Sequence, residues 1–213
     1  MNSTAPIFKP AGESSMKKTG SQFLMWVDGV GGFLVCLDDT VSLGQATYDS
    51  NATIGILGDL SRNHAVIRRE RDAYTVIPHA DTWLDGQKIE RPFSLNNGDE
   101  LRLGRQVSFR FRQPHPLSTS ARMESTSHHR TQPATDGIVL MASSCILGPS
   151  LQNHVFCRFW SEDVMLVRKG ETLCCFSKQS FEVDGKECQG RANISMNSRI
   201  CGADFCISLE PID

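Results

Sequence analysis

Ser61, Arg62 and His64 fall within four positions of one another in "GDLSRNHAVIRRERDAYTV", residues 58 to 76. A hydroxyl, a guanidinium and an imidazole so close together are the donors an anion needs, and an apolar Ala65-Val66-Ile67 run follows to anchor them. The same cluster is also what a well-satisfied turn would contain. Arg68, Arg69 and Arg71 add basic charge nearby, in the alternating pattern of a solvated face. Signatures of catalysis are missing: histidines 64, 79, 115, 128, 129 and 154 accompany no GxSxG nucleophile, phosphate-binding glycine loop or paired-carboxylate motif. The residues therefore give no candidate catalytic group.

Seven of the eight cysteines (Cys145, Cys157, Cys174, Cys175, Cys188, Cys201 and Cys206) lie in the last third of the chain, and none forms a CxxC pair. Zinc sites use closely spaced ligand pairs, and the adjacent Cys174 and Cys175 would point to opposite faces of a strand. The expectation is that most are small apolar strand residues rather than metal ligands or disulfide partners. No metal and no cofactor is expected. A cysteine-based metal or redox protein remains a separate class of reading.

These side chains are carried by short strand-like runs: "FLMWVD", "GFLVCL", "TVSLG", "ATIGIL", "HAVIRRE", "AYTVIPH", "DELRLG" and "VSFRFR". In the last, Val107, Phe109 and Phe111 alternate with Ser108, Arg110 and Arg112, the period of a strand with one buried and one wet face. Turn signals separate the runs, at Asp85-Gly86 and at Asn97-Gly98-Asp99. Helical periodicity is nearly absent. An all-β protein follows, built as a sandwich or barrel.

At 213 residues, with 39% apolar and 22% charged residues, the chain has an ordinary globular composition and room for one large or two small domains. A net charge of -2 gives no electrostatic reason to expect nucleic acid or an anionic membrane as partner. The best apolar stretch, residues 23 to 37, is broken by Asp28 and is too short to span a bilayer; it reads as two strands around a turn. The N-terminus lacks the apolar core of a secretory signal, which places the protein in the cytoplasm.

Residues 114 to 136 are rich in Ser, Thr, Pro and His with almost no large apolar residue, the composition of a linker. His128 and His129 within it read as solvated. The expected organisation is a flexible tail over 1–20, a domain over 21–113, the linker over 114–136 and a second domain over 137–213. The second repeats features of the first in the same order. "VSLGQ" (41 to 45) matches "CILGP" (145 to 149), Asn63-His64 matches Asn153-His154, and "YTVIPHADTWLDG" (74 to 86) lies without gaps on "LCCFSKQSFEVDG" (173 to 185). This is the mark of a diverged internal duplication.

Ser61-Arg62-Asn63-His64-Ala65, followed by Leu84-Asp85-Gly86 and by Gly98-Asp99-Glu100-Leu101-Arg102-Leu103-Gly104, resembles a forkhead-associated (FHA) domain of the bacterial type over about residues 22 to 113. The resemblance implies two antiparallel β-sandwich FHA-like domains in tandem, the second degenerate. It also implies a non-enzymatic protein-protein interaction module whose partner is a protein or a phosphothreonine peptide. By resemblance, Ser61 and Arg62 would contact the phosphate, His64 would brace the loop from behind, and Gly44 would permit the turn leaving the third strand. Gly86 belongs to the same supporting set.

The departures from the family pattern fall on the binding residues. Gln45 stands where the family's principal phosphate arginine would be, and it brings no charge. Ala80 replaces the asparagine that would fix the peptide backbone, and Asp81 beside it repels phosphate. Arg105 is the candidate for supplying charge in their place. In the second segment only four residues separate Gly148 from Asn153, against eighteen between Gly44 and Asn63, so its binding loop is essentially gone. The reading divides between a weakened phosphothreonine reader and a scaffold that makes phosphate-independent contacts.

Overall fold

The computed structural model describes residues 21–115 and 118–212, and the tail expected over 1–20 lies outside them. Strands and turns account for the regular structure of these residues, with no helix among them, in agreement with the all-β expectation. The first hairpin is β1 (Gln22–Val27) and β2 (Gly31–Cys36). Nine strands follow: β3 (Thr40–Gln45), β4 (Ile54–Leu57), β5 (Ala65–Glu70), β6 (Ala73–Pro78), β7 (Thr82–Leu84), β8 (Gln87–Ile89), β9 (Phe93–Leu95), β10 (Glu100–Leu103) and β11 (Val107–Arg112). Alternate residues of β3, β4, β5, β6, β10 and β11 enter one apolar cluster, including Leu43, Ile56, Ile67, Val76, Leu101 and Phe111. The period-2 pattern of these strands thus builds the core that supports the Ser61 loop.

The stretch expected to be a linker is part of the fold. It supplies β12 (Ala121–Ser125), paired with β11, and β13 (Arg130–Gln132), paired with β4. Ala121 and Met123 are fully buried, whereas the intervening Arg122 bonds its neighbour Glu124 and the carbonyl of His154. Its serines are structural: Ser120 Oγ donates to the Ser144 carbonyl at 2.6 Å and accepts from Ala142 N at 2.8 Å. Polar residues here satisfy backbone groups, which is why composition alone suggested a linker.

The remaining strands are β14 (Gly137–Leu140), β15 (Ser144–Gly148), β16 (Val155–Phe156), β17 (Val164–Lys169), β18 (Thr172–Val183), β19 (Lys186–Ile194), β20 (Arg199–Gly202) and β21 (Cys206–Pro211). They repeat the pairing plan of β3 to β11. As β3 pairs parallel with β4 and antiparallel with β5, so β15 pairs with β16 and β17. β18 does the work of β6 and β7 together, β19 that of β8 and β9, and β20 with β21 that of β10 with β11. The repeat extends to single bonds. Asp85 and Asp184 both take positive φ, 48° and 52°. Each carboxylate accepts one backbone N–H at 2.8 Å, from Glu100 and Arg199 respectively.

The outer strands of the two plans cross over. Next to β11 lie β12 and then β14, both later in sequence; next to β21 lie β1 and then β2, from the other end of the chain. β14 and β2 pair in parallel and join everything into a 15-stranded sheet beside a 6-stranded one. At this seam Leu34, Cys36, Ile138 and Leu140 enter one core while Phe33, Val35, Val139 and Met141 enter the other. Burial on both faces explains why "FLVCL" and "GIVLM" are continuous apolar runs rather than alternating ones.

Cys36, Cys145, Cys157, Cys174 and Cys175 are buried, in keeping with small apolar strand residues. Burial pushes the thiols of Cys36, Cys145, Cys157 and Cys175 up to about 12, leaving little of the reactive thiolate. Cys201 and Cys206 differ from the expectation: they are directly opposed on β20 and β21 and form a disulfide.

His154 is fully buried, accepting from Ile146 N at 3.0 Å through Nδ1. Burial, with the charges of His115 and Arg122, pushes its pKa down to about 4. The unfolded chain takes up this proton near its ordinary pKa of about 6.5. Stability from the neutral ring is therefore whole above that pH and falls as pH drops toward 4, by roughly 2–4 kcal/mol. The unfolding free energy of His154→Asn, which keeps an acceptor for Ile146 N, should lack most of this slope when compared with the parent from pH 7 to 4.

The crossed hairpins make a second prediction. Residues 137–213 expressed alone lack the β1 partner of β21 and should show no cooperative thermal unfolding by circular dichroism. Appending residues 21–37 after residue 213 through a flexible linker should restore the transition. A cooperative transition in the shorter piece would show that the exchanged hairpin is dispensable.

Candidate functional site

The loop between β4 and β5 is held at the end of β3 by its backbone. Gln45 N donates to the Ser61 carbonyl at 3.0 Å, and His64 N donates to the Leu43 carbonyl at 2.8 Å. Gly44 makes this approach possible: a Cβ there would stand 1.8 Å from the Arg62 carbonyl oxygen. The requirement is closeness of two backbones and not a left-handed turn, since Gly44 has no positive φ.

His64 is 3% exposed and ties three connections together. Its Nδ1 accepts from Ser61 N at 3.3 Å, and its Nε2–H donates to the Asp81 carbonyl at 2.8 Å. That carbonyl also accepts from Gly104 N at 2.9 Å. One tautomer satisfies every group, so the β4–β5 loop, the β6–β7 connection and the β10–β11 turn are set against one another by a single side chain.

In front of His64 lies an open cleft of about 660 Å³, lined among others by Asp59, Ser61, Ala80, Asp81, Arg105 and His129. Lys88 lies 2.9 Å from Asp81 and, with Arg105 contributing, holds its carboxyl below the usual range. The Asp81 charge is therefore largely countered at the rim. Among the described residues, the structure gives the Arg105 guanidinium no hydrogen bond and no ion pair.

Four of the sequence-selected residues do not share that cleft. Arg62 turns the other way and meets Asp49 at 2.7 Å, both side chains more than half exposed, beside a shallow hollow with Ser42, Asn51 and Asn63. Gln45 lies between the two and lines neither. Gly44 acts beneath the loop. Gly86, with φ of +79°, serves the β7–β8 turn and is not part of the cleft lining.

His129 was missed, having read as a solvated residue of a flexible segment. The pairing of Arg130 with Leu57 sets it opposite Gly58, and a Cβ on Gly58 would lie 3.0 Å from the His129 ring. Only strand pairing in three dimensions brings it to the β4–β5 loop; no spacing in the sequence signals it.

No curated protein matches the chain. A solved structure titled "Rv0020c_FHA Structure" is similar at 22% identity, covering 44% of this chain and 91% of that one, with a TM-score of 0.28. Residues 41–104 match the family model described as FHA domain. That match runs from β3 through Ser61, Arg62 and His64 to the turn at Gly104, and it assigns the N-terminal part of this chain to the FHA domain family.

Proposed function

We propose that this chain is a non-enzymatic adaptor whose FHA domain holds a phosphothreonine segment of a partner protein at the Ser61 loop. FHA domains are protein-protein interaction modules that typically bind phosphothreonine. The observation that carries the reading is the braced Ser61, whose backbone N–H is fixed by His64 while its side chain stands at the cleft with an uncommitted Arg105. A dianionic phosphate gains about 1.5–3 kcal/mol from each charge-assisted hydrogen bond. The exposed Arg62–Asp49 pair is worth only about 0–1 kcal/mol, so it presents a small barrier to Arg62 turning toward such a ligand.

The second reading, a phosphate-independent scaffold, is favoured by Gln45 and Ala80 at the family's binding positions and by the Asp49 carboxylate beside Arg62. In this proposal the C-terminal half is a second FHA-like copy without a binding loop. It supports the first through the exchanged hairpin. The pKa values of its buried thiols argue against a thiol-based chemistry for it.

Titration of a phosphothreonine peptide library against the whole protein separates the two readings. The phospho-reader predicts binding that disappears with the unphosphorylated peptides and weakens about tenfold or more in Ser61→Ala. Equal binding of both peptide forms would leave the scaffold. His64→Ala should lower the unfolding free energy by about 1–3 kcal/mol, measured by chemical denaturation, because Ser61 N loses its buried acceptor.

A further inference from the structure

Gln45 removes the family's arginine from one side of the Ser61 loop, and the structure supplies donors on the other side. Arg105 enters from the β10–β11 turn and His129 from the turn between β12 and β13, both lining the cleft that Ser61 lines. Both lie beyond residue 104, where the family match ends.

His129 is held as a donor. Ser108 N donates to Ser127 Oγ at 3.2 Å, and Ser127 Oγ lies 3.1 Å from His129 Nδ1. With its lone pair accepting from Ser108, the Ser127 hydroxyl turns its proton to Nδ1. The remaining ring proton is then on Nε2, free to donate into the cleft. The ring rests on Gly58, where any larger residue would crowd it.

Asp59 and Asp81 are the acidic groups of the lining, and Lys88 pairs with Asp81 from outside the cleft. Arg105 has no such partner among the described residues. His64 faces the cleft from behind, with both nitrogens committed to the brace.

We propose that Ser61, Arg105 and His129 form the phosphate-receiving set of this protein, with the β12–β13 segment completing a binding site that the family segment alone leaves short of charge. The proposal rests on the phosphothreonine reading above and states where the monoester sits. A hydroxyl, a guanidinium and an imidazole N–H suit the three terminal oxygens of such a group.

The test uses the full chain and the tightest phosphothreonine peptide from the library, with fluorescence anisotropy as readout and thermal unfolding as a check on the fold. Arg105→Ala should weaken binding about 10- to 100-fold, and His129→Ala about 3- to 10-fold, with unfolding temperatures unchanged. His129→Gln, which keeps a donor, should recover part of the loss. If both alanine variants bind as tightly as the parent while Arg62→Ala does not, the phosphate sits on the Arg62 side; the inference falls and the phosphothreonine reading stands. If no phosphopeptide binds, that reading falls, and the cleft is probed with inorganic phosphate by NMR. Saturable shifts of the Arg105 side-chain Nε–H and the His129 ring would then uphold the cleft as an anion site, and their absence would overturn it.

Discussion

The parallel seam between β14 and β2 is the constraint on which the two halves depend. Each of these strands gives alternate side chains to opposite cores, so neither core is complete without the seam. A fully buried aliphatic or aromatic side chain contributes about 1.5–3 kcal/mol, and the seam carries several on each face. Displacing it would open both cores together. The halves are better regarded as one cooperative body than as beads on a string, since the segment between them is itself strand and buried serine.

The same crossing explains how the cleft acquires a wall from outside the family segment. β12 must run beside β11 to fill the position next to it, and the chain must then return to β14. β13 lies on that return path, where it adds to the edge of the 6-stranded sheet beside β4. His129 therefore reaches the β4–β5 loop as a consequence of how the outer strands are exchanged. Loop bracing and cleft composition are separate achievements: His64 fixes the geometry from within the family segment, and the neighbouring elements decide which charges face the opening.

Much of the fold was legible in the sequence. The clean alternation of "VSFRFR" and the Asp-Gly turns appear where they were read, and the matched "LDG" and "VDG" end in turns with the same positive φ and the same carboxylate bond. β12 was not legible, because its buried residues are only Ala121 and Met123 among charged and hydroxyl neighbours. The exchange of hairpins was not legible either, since a strand's apolar pattern is the same whichever equivalent partner it pairs with. At the site, Ser61 and His64 announce themselves by type and spacing. The separation of Arg62 from Ser61 does not, for adjacent residues on a loop can face opposite ways and only the backbone conformation decides.

The two copies differ most where their loops should receive a ligand, and the difference has a local cause. In the first, the space over Gly44 is filled by the Arg62 backbone carbonyl, so the loop lies flat and presents its side chains outward. In the second, the space over Gly148 is filled by the Asp163 carboxylate, which accepts from Asn153 Nδ2 at 2.6 Å. A side chain has replaced the missing loop, and it is an anion. Charge at that point repels phosphate, and the shortened 149–152 connection leaves no residues to counter it. Once Asp163 and Asn153 close this end, the pull of selection on the second copy falls on its core and on the strands it lends. The seam preserves both.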